Sequence, residues 1–166
     1  TSSFTVNALP SSILGSAVAC VGLTATLSDA TSGGNWSSSN TSLATIVSGT
    51  GVMTGVSSGN PTITYTTGSG CIATTLATVN PLPAAITGTM NVCVGLSTTL
   101  NNTTPGGAWT SSNTNVSLAA NVVTGVAAGT TTITYTLPTG CINTAVVTVN
   151  PLPAAISGTP VVCAGL

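Results

Sequence analysis

The sequence predicts an all-β chain, two antiparallel sandwiches of about seven strands each in tandem. Three observations predict it: a period of two in the apolar residues, turn signals between the periodic runs, and an internal repeat of about 70 residues. Trp36 recurs at Trp109 and Cys20 at Cys93, both at an offset of 73, while Cys71 recurs at Cys141 and Cys93 at Cys163 at an offset of 70. The three-residue difference lies between the tryptophan and the following Val-Thr-Gly-Val, since Trp36 to Val52 is 16 positions and Trp109 to Val122 is 13. Loops absorb such changes and strands do not.

Within a repeat, Thr132-Ile133-Thr134-Tyr135-Thr136-Leu137 sets Ile133, Tyr135 and Leu137 on one face and three threonines on the other, the mark of a half-buried strand. Ile63 and Tyr65 repeat the pattern against Thr62, Thr64 and Thr66. Leu23, Ala25 and Leu27 alternate with Thr24 and Thr26, and Val147 and Val149 flank Thr148. Ser32-Gly33-Gly34, Ser57 to Pro61, Gly68-Ser69-Gly70, Pro105-Gly106-Gly107 and Pro138-Thr139-Gly140 supply the turns. No helical period is present. The apolar run Ile13 to Leu23 is shorter than the roughly 20 residues that span a bilayer and reads as a core strand pair, so no membrane span is expected in this segment.

Val79-Asn80-Pro81-Leu82-Pro83-Ala84-Ala85-Ile86 returns unchanged at Val149 to Ile156 and in altered form at Val6 to Pro10. Proline fixes φ and donates no hydrogen bond, so Pro81, Pro83, Pro151 and Pro153 end a strand and stiffen the linker that follows. The domain organisation read from these joints is the end of a preceding module at 1–9, modules at 10–80 and 81–150, and the start of a following module at 151–166.

Composition excludes most chemistry. The chain has no Lys, Arg or His, and its one acidic residue is Asp29, read here as a turn residue. Acid–base catalysis, an activated Ser or Thr nucleophile, phosphate neutralisation and carboxylate-rich cation sites all lack their groups, so no catalytic residue, no cofactor, no metal and no nucleic-acid partner is expected. A surface almost without charge favours association, and Ser and Thr, about a third of the residues, would carry its hydration bare or glycosylated. Asn35, Asn40, Asn101, Asn102 and Asn115 head Asn-x-Ser/Thr sequences and are the candidate N-glycan acceptors, although such matches are frequent by chance in this composition.

Gly34-Asn35-Trp36-Ser37-Ser38-Ser39-Asn40, followed by Leu43 to Ile46, Gly51-Val52-Met53-Thr54-Gly55-Val56 and Thr62 to Thr66, resembles the group 2 bacterial immunoglobulin-like domain. The second copy repeats the likeness from Gly107 to Asn113, Asn121 to Gly129 and Thr132 to Thr136. The resemblance implies tandem immunoglobulin-like modules of a large exported surface or adhesin protein of Bacteroidetes-type bacteria, extracellular and non-enzymatic. Near-total loss of charge and paired cysteines depart from the usual member.

Disulfides suit an exported domain too small for a large core. The preferred pairing is Cys20–Cys71 and Cys93–Cys141, with Cys163 left to a partner beyond this segment. The alternative, Cys71–Cys93 and Cys141–Cys163, would staple neighbouring modules across the linker, and sequence alone leaves both open. Trp36 and Trp109 read as core tryptophans of the third strand, or else as glycan-stacking platforms. The functional expectation is a structural repeat unit of an extracellular fibre or adhesin stalk whose partners are itself or neighbouring repeats, with strand addition at charge-free edges as one route and covalent or bound glycans as further partners. A glycan-binding adhesin module is the alternative, and threonine rows that bind ice or a functional amyloid are weaker ones.

Overall fold

The computed structural model describes residues 6–158, and Cys163 lies outside them. Among the described residues every regular element is a strand. The first repeat folds as β1 (Val18–Cys20), β2 (Thr24–Thr26), β3 (Asn35–Ser38), β4 (Ala44–Ile46), β5 (Val52–Gly55), β6 (Thr62–Thr66), β7 (Ile72–Leu76) and β8 (Thr78–Asn80). The second folds as β9 (Thr87–Gly88), β10 (Asn91–Cys93), β11 (Ser97–Asn101), β12 (Ala108–Ser111), β13 (Val116–Ala119), β14 (Val122–Gly125), β15 (Gly129–Thr136) and β16 (Ile142–Asn150). The chain forms two compact units. One runs up to Ala84 and takes in Thr136–Asn143, the tip of the β15–β16 hairpin; the other comprises Ala85–Tyr135 and resumes at Thr144.

Each repeat builds two sheets. In the second repeat these are β10-β16-β15-β12 and β13-β14-β11-β9, and in the first β2-β5-β4 and β3-β6-β7, with β1-β8 as a separate pair. β16 corresponds to β7 and β8 together, which are parted only at Ala77. Most pairings are antiparallel, as expected, but β1 runs parallel to β8 and β10 parallel to β16, with Cys20 opposite Asn80 and Cys93 opposite Asn150. Two packed sheets with this order are an immunoglobulin-like sandwich.

The period-two pattern defines the core. Ile63 and Tyr65 of β6, Ile133 and Tyr135 of β15, and Val147 and Val149 of β16 are buried, and their threonine neighbours are half-buried. Ala19, Leu27, Trp36, Ala44, Met53, Ala77 and Val79 complete the first core. The apolar run at 13–23 is not the uniform core strand pair expected of it, because Leu14, Val18 and Leu23 are exposed. Its glycines explain why. Gly15, at φ +101°, lets the chain leave the bridge between Leu14 and Ser28 and enter β1 on the other sheet, so each half buries only part of its side chains.

The missing three residues are found in one hairpin. Residues 47–51 join β4 to β5, whereas only Ala120 and Asn121 join β13 to β14. The shorter turn puts Ala120 at φ +50°, as a tight two-residue hairpin loop requires.

Candidate functional site

The chemically distinctive groups are the cysteines, and strand geometry places them. Cys20 ends β1 beside the end of β8, where Val21 N donates to Asn80 O at 3.0 Å. Cys71 immediately precedes β7, in a tight tip where Thr67 N donates to Cys71 O and Gly70 N donates to Thr67 O, both at 2.9 Å. From Cys71 the chain runs along β7 and β8 to Asn80, about nine residues or roughly 30 Å at the rise of a strand. Cys20 and Cys71 thus stand at opposite ends of one sandwich. A disulfide needs Cα atoms within about 7 Å.

The expected Cys20–Cys71 pair is accordingly not made. Cys20 is bonded to Cys141, with Cα atoms 5.7 Å apart and 121 residues between them in sequence. Cys71 and Cys93 are free thiols, half-buried, which overturns the expected Cys93–Cys141 pair and also the alternative that joined Cys71 to Cys93 and Cys141 to Cys163. The bonded tip is fixed further. Leu137 N donates to Cys141 O and Gly140 N to Leu137 O, Cys141 Sγ lies 4.0 Å from Asn80 O, and Asn143 Nδ2 donates to Pro83 O at 3.3 Å. Cys141 is fully buried. Pro83 is buried too, while Pro81, Pro151 and Pro153 are exposed, so the linker is also the seat of a hairpin tip.

Trp36 is 7% exposed, and its ring meets Tyr65 with centroids 4.8 Å apart. Trp109 is half-buried and meets Tyr135 at the same 4.8 Å. Each tyrosine hydroxyl pins the loop before the tryptophan. Tyr135 donates to Thr104 O at 2.6 Å and accepts from Gly107 N at 2.8 Å, and Tyr65 does the same with Thr31 O and Gly34 N. Sequence reasoning missed this pair of bonds, although tyrosine at matching positions of both repeats was the signal.

Asp29 makes the turn expected of it, accepting from Thr31 N at 2.7 Å, and its other carboxylate oxygen is buried without a partner among the described residues. Asn35, Asn40 and Asn101 are exposed, and Asn102 and Asn115 half-buried. Asn35 Oδ1 accepts from Ser48 Oγ, Asn40 Oδ1 from Ser42 N and Asn102 Oδ1 from Thr104 N, while Asn115 Nδ2 donates to Thr130 O. Among the described residues no three His, Cys, Asp or Glu side chains gather as a metal site would require, and no helix is long and apolar enough to cross a membrane.

Residues 19–79 match the model of the bacterial Ig-like domain (group 2). That stretch is a group 2 bacterial Ig-like domain. The match runs from β1 to β8 and so includes both sheets of the first repeat. Among solved structures, a C-terminal 282-residue fragment of intimin, in complex with the translocated intimin receptor, is similar at 15% identity with a TM-score of 0.51, over 86% of this chain and 65% of that one. Domains 4 and 5 of the S-layer protein SbsC are similar at 20% identity with a TM-score of 0.42, over 88% of this chain and all of that one. Comparison with curated proteins returned no match. At 15% identity the similarity to the intimin fragment is one of fold.

Proposed function

We propose that this chain is a structural repeat of an extracellular bacterial fibre or adhesin stalk, its tandem Ig-like modules at 10–80 and 81–150 bearing load rather than catalysing a reaction. The observation that carries the reading is the Cys20–Cys141 disulfide, which ties the first sequence repeat to the second across 121 residues. Such a bond stops tension from unravelling the residues it encloses, and it persists in an oxidising compartment outside the cell. A sequence without Lys or Arg is also closed to trypsin-like proteases, which suits exposure to the surroundings.

Self-association fits the same role. β7 lies at the edge of its sheet with Ile72 and Leu76 exposed and no lysine to block pairing, the setting for strand addition between chains. N-linked sugars at the exposed Asn35, Asn40 or Asn101 would hydrate a surface that has almost no charge.

Antibody labelling of intact source cells by electron microscopy tests the location and the role together. Label on extended structures outside unpermeabilised cells is expected. Label that enters only after permeabilisation would exclude the proposed role.

A further inference from the structure

The bond between Cys20 and Cys141 uses one cysteine of each kind: the β1-type cysteine of the first repeat and the hairpin-tip cysteine of the second. The two free thiols are the complementary halves of that pair. Cys93 is the β1-type cysteine of the second repeat, and Cys71 is the tip cysteine of the first.

The surroundings match down to individual bonds. At Cys20, Val21 N donates to Asn80 O at 3.0 Å, Gly22 N to Gly55 O at 2.8 Å and Leu23 N to Cys20 O at 3.0 Å. At Cys93, Val94 N donates to Asn150 O, Gly95 N to Gly125 O and Leu96 N to Cys93 O at the same three distances. The tips agree as well. Gly70 and Gly140 close them at φ +85° and +83°, and Cys71 Sγ lies 4.0 Å from Asn7 O as Cys141 Sγ does from Asn80 O. Asn7 and Asn80 hold the same place in their Val-Asn sequences.

Burial separates the bonded from the free cysteines. Cys20 is buried and Cys141 fully so, whereas Cys93 and Cys71 are half-buried. Where the first unit seats the tip at Cys20, the second has a groove of about 420 Å³ at Cys93, lined by Asn91, Leu96, Ser97, Thr98 and Asn150. Leu96 is 60% exposed there.

We propose that this groove receives the Thr67–Cys71 tip of a second copy of this chain, and that Cys93 of one copy forms a disulfide with Cys71 of the next. The linkage is head-to-tail. Because the two halves of the contact differ, a singly linked pair of copies still carries one unused Cys93 and one unused Cys71, through which further copies can be added. The inference deepens the fibre reading, but it rests on the Cys20–Cys141 template and is tested separately from location. Ala73 stands in the Cys71 tip where Asn143 stands in the other, and Asn7 of the tip's own chain already holds the place that Asn80 takes at Cys141, so the bond to Pro83 O is not reproduced and the disulfide is the shared part.

The oxidant is a low-molecular-weight disulfide such as glutathione disulfide. The Cys93 thiolate attacks one of its sulfurs, forming a mixed disulfide and releasing one glutathione thiolate. The Cys71 thiolate of the second copy then attacks Cys93 Sγ and releases the other. Two protein thiols become one protein disulfide, one glutathione disulfide becomes two glutathione thiols, and the two thiol protons pass to them.

The test uses the 166-residue protein with Cys163→Ser in every variant, oxidised in a glutathione buffer and resolved on non-reducing gels with peptide mapping by mass spectrometry. A ladder of covalent multimers joined by Cys71–Cys93 peptides is expected. Cys71→Ser and Cys93→Ser should each abolish the ladder, and an equimolar mixture of the two should stop at a dimer. The Cys20–Cys141 peptide, mapped in each sample, reports that the variants have folded. Monomers whose two thiols still alkylate, a Cys71–Cys93 bond within one monomer, or Cys71–Cys71 and Cys93–Cys93 links as the main products would each overturn the proposal. So would absence of the Cys20–Cys141 peptide from the parent protein, which would remove the template. Surface labelling of cells is unaffected by any of these outcomes, so the failure of the linkage and the failure of the fibre reading are distinguishable.

Discussion

Reducing the Cys20–Cys141 bond should change how far a single molecule can be stretched, and the size of that change follows from the chain. The bond holds two Cα atoms 5.7 Å apart while 121 residues separate them in sequence. An extended chain spans at most about 3.4 Å per residue, so the enclosed segment hides about 400 Å of length. Only the 19 residues before Cys20 and the 25 after Cys141 lie outside the loop, and these can supply about 150 Å. In an optical-trap experiment with handles at the two ends, the oxidised protein should therefore yield no more than about 150 Å. Reductant, or Cys141→Ser, should release a further 400 Å or so, with the unfolding step of the first core appearing only then, whereas β16, which follows Cys141, can be drawn out of the second core in either state. Extension of oxidised single molecules to the full length of about 550 Å would refute the pairing and with it the load-bearing argument.

Three further outcomes follow from the packing. Gly125→Ala would bring a Cβ within 2.7 Å of Cys93 O and 2.8 Å of Val149 Cγ1, so the β14 strand must shift, and a loss of about 1–3 kcal/mol should show in the urea midpoint followed by Trp109 fluorescence. Gly55→Ala meets Cys20 O and Val79 Cγ1 at the same distances and should cost as much. Tyr65→Phe removes the hydroxyl that joins Gly34 N to Thr31 O, and thermal unfolding should report a loss of about 1–2 kcal/mol with the fold unchanged by circular dichroism. Trp36→Ala empties the centre of the first core and should cost about 3–5 kcal/mol, so a variant that stays fully stable would contradict the core placement.

Much of the fold is legible in the residues because it depends on local alternation. Thr62-Ile63-Thr64-Tyr65 and its copy at 132–135 put Ile and Tyr inward wherever the strand is paired, since side chains of a strand alternate between faces. The repeat offset likewise located the shortened segment, and the structure narrows it to the β13–β14 hairpin. The run at 13–23 misled because apolar content was read as burial, whereas its glycines carry the chain from one sheet to the other and leave Leu14 and Leu23 in solvent.

The cysteines mark the boundary between the two kinds of information. The sequence by itself determined that there are two kinds, that each recurs once per repeat, and that one follows a glycine turn while the other sits in an apolar strand. Which pairs with which was decided only in three dimensions. The strand path from Cys71 to Asn80 carries the two cysteines of one repeat about 30 Å apart, and the parallel pairing of β1 with β8, formed between residues some 60 positions distant, sets Cys20 beside Asn80 where the later hairpin tip arrives. No local pattern encodes a parallel pairing or the reach of a hairpin tip, because both depend on where distant strands have already packed.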